Sequence, residues 1–202
     1  ADAYGLTETV SGDTFMDRGA MRTRPGSVGR PCPYLDLEIW DDSGSPVAPG
    51  LRGEVVLRGP KVFRGYWNDP DATAAAFAGG WFHTGDVGMC DGDGYLFIVD
   101  RLKDMIVSGG ENIASSEVER VLDTHPGVLE VAVVGLPHER WGEVPVAYVV
   151  ARPGSSLSEA DLLAHCAGRL AKFKVPAEVR FIDGLPRNPS GKVLKRDLRN
   201  LC

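Results

Sequence analysis

Short alternating runs broken by Gly and Pro dominate the first half of the chain. Leu35-Asp36-Leu37-Glu38-Ile39-Trp40 alternates apolar and polar positions and predicts a half-buried strand. Asp41-Asp42-Ser43-Gly44 supplies turn chemistry, and Gly53-Glu54-Val55-Val56-Leu57-Arg58 predicts the next strand. Tyr95 to Val99 predicts another, entered through Asp91-Gly92-Asp93-Gly94. Those residues match the first positions of a calcium loop, but its remaining ligands and closing Glu are missing, so a hairpin turn is the better reading. One short helix is expected near Pro70 to Phe77. The first part therefore reads as a curled, antiparallel, barrel-like β region.

After Arg101 the pattern changes. Ser116-Glu117-Val118-Glu119 has the form of a capping box opening a helix, with Val118, Val121 and Leu122 as its apolar stripe and His125-Pro126-Gly127 as its stop. Val131 to Gly135 and Val144 to Ala151 are continuous apolar runs, as in buried strands. Ser158 is placed to cap another helix, with Leu162, Cys166 and Leu170 on its inner face. Arg180 to Asp183 predicts a short strand and Val193 to Leu201 a basic helix. Helices and strands in alternation are the signature of a small α/β domain. The expected class is thus α/β (α+β): a β-rich part over 1–100, a hinge over 101–104 and an α/β domain over 105–202. The hinge falls in Asp100-Arg101-Leu102-Lys103-Asp104, where charged side chains suit a joint because water can solvate them in either arrangement. A charged turn between two strands has the same composition.

With 202 residues, 43% hydrophobic and 25% charged, the chain reads as soluble and globular. No apolar run approaches the roughly 20 residues of a membrane span, and no signal-peptide pattern opens the chain. A net charge of -6 argues against a general nucleic-acid binder. Cys32, Cys90, Cys166 and Cys202 stand far apart, which gives neither a zinc site nor a disulfide framework, and free thiols fit a reducing cytoplasm. His83 reads as a polar neighbour filling an exposed slot rather than as a catalytic base.

Four stretches carry candidate chemistry. Pro186-Arg187-Asn188-Pro189-Ser190-Gly191-Lys192 sets a lysine behind a flexible Gly on a proline-stiffened loop, presenting one compact positive charge to a phosphate or carboxylate. Its bland alternative is a surface lysine beginning a basic helix with Lys195 and Arg196. Tyr4-Gly5-Leu6-Thr7-Glu8 offers an aromatic face, a Gly for close backbone approach, a hydroxyl and a carboxylate. Asp86, in Thr84-Gly85-Asp86, has lone pairs enough for both hydroxyls of a ribose, although a turn cap would also use an Asp there. Gly109-Gly110 lacks Cβ atoms and lets something thin pass close to the backbone.

These motifs, with Asp100 to Asp104, resemble in content and order the later core motifs of the adenylate-forming superfamily, and most closely its acyl-CoA synthetases. The resemblance implies that Tyr4 stacks on adenine, Thr7 bonds phosphate and Glu8 holds Mg²⁺. It implies that Asp86 and Arg101 bind ribose, with Ile98 as an apolar wall. Lys192 would be the catalytic residue, stabilising charge as a carboxylate meets the α-phosphate of ATP. Gly109 and Gly110 would flank the pantetheine arm of CoA, with Trp141 and Phe173 near the CoA nucleotide. Basic residues of some relatives, two and four positions after that Phe, are replaced here by Val175 and Ala177. Lys103 occupies the pivot about which such enzymes rotate their C-terminal domain, where other members have Asp.

The implied substrates are a carboxylic acid, first of all a fatty acid, with ATP, yielding AMP, and CoA. A lysine acetyltransferase acting on Lys192 and self-association are further implied partners. The phosphate loop of the superfamily does not occur, so a C-terminal fragment without most of the acyl pocket is expected, inactive alone. An adenylation unit of a peptide or polyketide assembly line, or a free-standing nucleotide- or CoA-binding regulatory module, stays open.

Overall fold

The computed structural model describes residues 3–201, so the expected free thiol of Cys202 lies outside the described residues. The chain divides into two compact units between Leu102 and Lys103. No helix among the described residues is long and apolar enough to cross a membrane.

The first unit contains two antiparallel sheets. β1 (Ala3–Tyr4), β2 (Thr14–Phe15) and β3 (Arg30–Pro31) form a small one. β4 (Asp36–Trp40), β5 (Gly53–Arg58), β6 (Phe82–Cys90) and β7 (Leu96–Arg101) form the larger in sequential order. The larger sheet is open, so the barrel-like expectation reduces to a four-stranded meander. Alternation explains its core: Ile39, Val55, Leu57, Phe82 and Leu96 meet on one face. The Asp91–Gly94 segment is the expected hairpin turn between β6 and β7, with Asp91 Oδ1 accepting from the backbone of Asp93 and Tyr95. α1 (Pro70–Ala76) begins with proline after Asp69, whose side chain accepts from the Ala72 amide.

The second unit is a mixed sheet packed on both faces. β8 (Ile106–Ser108) and β9 (Glu111–Ile113) form a hairpin, followed by α2 (Ser115–Asp123). β10 (Val128–His138) and β11 (Gly142–Ala151) form a long antiparallel pair. α3 (Glu159–Cys166) then leads to β12 (Glu178–Phe181), which runs parallel to β11, and α4 (Lys195–Arg199) follows. Successive residues of β10 and β11 enter different cores. Val133, Ala147 and Val149 join Val118 and Leu122 of α2 and Leu162 and Cys166 of α3. Val134, Val146 and Tyr148 join Leu185 and Leu198 on the other face. This is why both strands read as continuous apolar runs, each buried Val or Leu contributing roughly 1.5–3 kcal/mol.

Three expectations are corrected. Ser116 is not a cap: it lies inside α2, which starts at Ser115 with Ala114 as its N-cap, and the Glu119 carboxylate accepts from the Val133 amide at 2.8 Å and pairs with Lys195 at 2.7 Å. Ser158 does cap α3, in a reciprocal box with Asp161, but Leu170 packs from beyond the end of that helix. The charges of the joint are not all solvated, since Asp100 and Asp104 are only 9% and 8% exposed. Asp100 accepts from the Arg101 amide and Asp104 from Arg199, because a carboxylate withdrawn from water needs partners.

Candidate functional site

In the first unit the register of β6 and β7 sets Asp86 directly opposite Arg101. Arg101 Nε donates to Asp86 Oδ1 at 2.7 Å. The Tyr4 hydroxyl, 82 residues away in sequence, donates to Asp86 Oδ2 at 2.7 Å. Burial first, and the Asp86 carboxylate second, push the Tyr4 phenol well above the ordinary tyrosine range. Asp86 is nearly buried, and each oxygen keeps a lone pair beyond the one these donors take. Ile98 and Tyr4 both pack, half-buried, against the core of the larger sheet. Tyr4, Asp86, Arg101 and Ile98 therefore belong to one region of this unit.

Thr7 and Glu8 sit on the single 3₁₀ turn Thr7–Thr9, with Thr7 exposed and Glu8 half-buried. Tyr66 Oη donates to Glu8 Oε1 at 3.2 Å, and the Glu8 carbonyl accepts from the Phe63 amide. Gly5 has a structural reason: a Cβ there would lie 2.4 Å from the Gly12 nitrogen. Among the described residues no group of three or more His, Cys, Asp or Glu could hold a metal. A single carboxylate still fits Mg²⁺, which takes most of its ligands from water and phosphate.

Sequence reasoning missed Glu54 and Tyr66 and misplaced His83. Glu54 Oε1 accepts from the Gly85 amide at 2.9 Å, and Oε2 lies 2.7 Å from His83 Nδ1. His83 is half-buried edge-on to Trp40, not in an exposed slot. This pair holds the Thr84–Gly85–Asp86 segment, where Gly85 is left-handed at φ +71°. Glu54 gave no signal because in sequence it is only a polar position of a strand. Burial raises the thiols of Cys90, to about 11, and of Cys166, so neither serves as a ready nucleophile.

In the second unit Lys192 is exposed at the end of a hairpin tied together by side-chain hydrogen bonds. Asn188 Oδ1 accepts from Ser190 N, Ser190 Oγ and Lys192 N at 3.1, 2.8 and 2.9 Å. Arg187 donates to the Gly191 carbonyl at 2.7 Å and pairs with Glu130 of β10 at 3.0 Å. Gly191 supplies a left-handed turn residue at φ +84°, not flexibility.

Gly109 and Gly110, at φ +59° and +86°, form the two-residue turn of the β8–β9 hairpin, a shape that demands such residues. A Cβ on Gly109 would come within 3.0 Å of the Trp141 ring, and the Gly109 amide donates to the Trp141 carbonyl at 2.8 Å. Trp141 is 43% exposed, with the Arg140 guanidinium 4.5 Å from its ring centroid. The two glycines and Trp141 thus come together. Phe173 lies apart in sequence on the 3₁₀ turn Lys172–Lys174, its half-exposed ring near the Lys174 ammonium, which pairs with Glu117. Lys103 is the first residue of this unit, and its carbonyl accepts from Arg199 at 3.1 Å.

Lys192 and the glycine pair lie on separate parts of this unit: the glycines turn the β8–β9 hairpin at one end of the sheet order, whereas Lys192 precedes Val193 in the segment between β12 and α4. Val193 packs into the core that contains Val134 and Tyr148. Ile106 and Ile113, which flank the glycine hairpin, belong to the core that contains Val133 and Val149.

The family model described as AMP-binding enzyme matches residues 1–67, and that of the AMP-binding enzyme C-terminal domain matches 117–192. The chain belongs to the AMP-binding enzyme family. Within it, a feruloyl-CoA synthase of Amycolatopsis sp is 50% identical over 97% of this chain and 40% of its own length. A long-chain-fatty-acid–CoA ligase of Mycobacterium tuberculosis is 46% identical over 97% of this chain and 39% of its own length. The o-succinylbenzoate CoA synthetase of Bacillus subtilis, solved with the acyl-adenylate intermediate OSB-AMP, superposes with a TM-score of 0.93 at 40% identity, covering 98% of this chain and 40% of that one. The same synthetase has been solved with ATP and a magnesium ion. The chain therefore spans about 40% of the length of the AMP-binding relatives it matches.

Proposed function

We propose that the whole protein is an ATP-dependent acid–CoA ligase and that this chain carries its ribose-binding and lysine-bearing parts. The observation that carries the reading is the cluster of Tyr4, Asp86 and Arg101, three residues separated in sequence and joined by two 2.7 Å hydrogen bonds. An aromatic ring beside an anchored carboxylate suits a nucleoside, the ring for the base and the carboxylate for the sugar hydroxyls.

In the first half-reaction a substrate carboxylate oxygen attacks the α-phosphorus of ATP, forming acyl-AMP and releasing pyrophosphate. Lys192 sits on a preorganised hairpin and stabilises the negative charge gathered between carboxylate and α-phosphate. Glu8 would hold Mg²⁺, which supplies charge neutralisation at the phosphates. In the second half-reaction the CoA sulfur, giving up its proton, attacks the acyl carbonyl and AMP leaves. Gly109, Gly110 and Trp141 are the proposed lining for its pantetheine arm, with Phe173 nearer the CoA nucleotide. Because Lys192 and the glycine hairpin are on separate parts of this unit, beside side chains of different cores, each half-reaction is proposed to need a different presentation of the unit, with Lys103 as the pivot.

The acid is proposed only as a carboxylic acid. The names of the relatives include feruloyl, long-chain fatty and o-succinylbenzoate, and do not single out a fatty acid. Acetylation of Lys192 by an acetyltransferase would remove its charge and stop adenylation.

Replacing Lys192 by Ala in the full-length protein is expected to lower ATP–pyrophosphate exchange by roughly 10²–10³. Exchange at the wild-type rate would refute the assignment of Lys192.

A further inference from the structure

The connection from β1 to β2 makes three left-handed residues in succession, Val10, Ser11 and Gly12, at φ 59°, 62° and 66°. A β-branched residue such as Val10 is poorly suited to that region, so the surrounding structure must impose it. The imposing group comes from about fifty residues further on, in the segment after β5. Lys61 Nζ donates to the Ser11 and Gly12 carbonyls at 2.8 Å each. The same ammonium lies 3.0 Å from Asp13 Oδ1. Cys32 Sγ is a fourth, longer contact at 3.9 Å, so two carbonyls, a carboxylate and a thiol surround the ammonium.

Asp13 is fully buried. Its Oδ2 accepts from the Leu6 amide and from Thr9 Oγ1, while among the described residues Oδ1 has only the ionic contact with Lys61. The Asp13 amide donates to the Tyr4 carbonyl at 2.7 Å, and the Ser11 amide to the Leu6 carbonyl at 2.8 Å. Tyr4 to Glu8 is therefore fixed from behind by the segment that Lys61 gathers.

We propose that Lys61 is a positioning residue for the nucleotide. Its ammonium neutralises buried Asp13 and clamps the left-handed turn, which sets the shape in which Tyr4, Thr7 and Glu8 meet ATP. The proposal rests on the nucleotide reading above. Lys61 touches no substrate in it and acts only through the loop.

The test uses the full-length protein carrying Lys61→Met and, separately, Lys61→Gln, which keeps a donor but loses the charge. The expected result is a rise of about tenfold, and at least threefold, in KM for ATP and in Kd for AMP measured by calorimetry. KM for CoA should stay within twofold. A purely structural lysine would lower the active fraction, and with it kcat, while leaving KM for ATP unchanged. A rise of less than threefold, or an equal rise in KM for CoA, overturns the proposal. Should Lys61→Met fail to fold, Lys61→Gln decides by the same limits. Wild-type protein that binds no AMP would instead fell the nucleotide reading, and this proposal with it.

Discussion

Tyr4 serves both the fold and the proposed site, and its hydroxyl makes this measurable. The unfolded chain releases that proton near pH 10, whereas burial and Asp86 hold it to higher pH in the folded protein. Above about pH 10 the unfolded state then binds fewer protons than the native state, so stability falls as pH rises. Tyr4 adds up to about 1.4 kcal/mol per pH unit to this slope. Tyr4→Phe should remove that part in denaturant melts across the alkaline range, while Tyr66 and Tyr95, also raised, keep theirs. An unchanged slope would show that the Tyr4 phenol is not held as described. At this scale the sequence was readable where a short motif carries its own chemistry, as in Tyr4 to Glu8. It was silent on Lys61, Glu54 and Tyr66. The hydrogen bonds of their side chains reach residues 29 to 58 positions away.

Helix starts show how far element-level patterns carry. Ser158 was legible as a cap because both members of its reciprocal box are local, and its hydroxyl accepts from the Asp161 amide at 3.3 Å. Ser158→Ala should cost about 1 kcal/mol of stability, read as a fall in the urea midpoint with an unchanged m-value. The similar pattern at Ser116 and Glu119 misled, because tertiary partners on β10 and α4 claim the glutamate. β6 was not read as a strand, since Thr84-Gly85-Asp86 interrupts its apolar pattern and the Glu54 carboxylate that steadies it is on another strand. The Gly109-Gly110 pair was read as space for a ligand. The structure adds that a two-residue hairpin turn needs those glycines in any case.

For the whole molecule the sequence changes pattern after Arg101, and the chain divides into two compact units between Leu102 and Lys103. Proline at Lys103 would fix φ at the proposed pivot. Lys103→Pro is expected to slow thioester formation from preformed acyl-adenylate by about tenfold and to leave pyrophosphate exchange within about threefold. Equal loss of both half-reactions would count against a pivot there. The second unit's sheet has one further consequence. Val133 and Val134 are chain neighbours, yet each belongs to a separate apolar interior. Substitutions that retune the lysine hairpin can accumulate behind one side of that partition, and changes near the glycine turn behind the other. Where such positions are well separated and share no partners, their energetic effects should simply add. Selection, or an engineer, could then adjust the two proposed half-reactions one at a time.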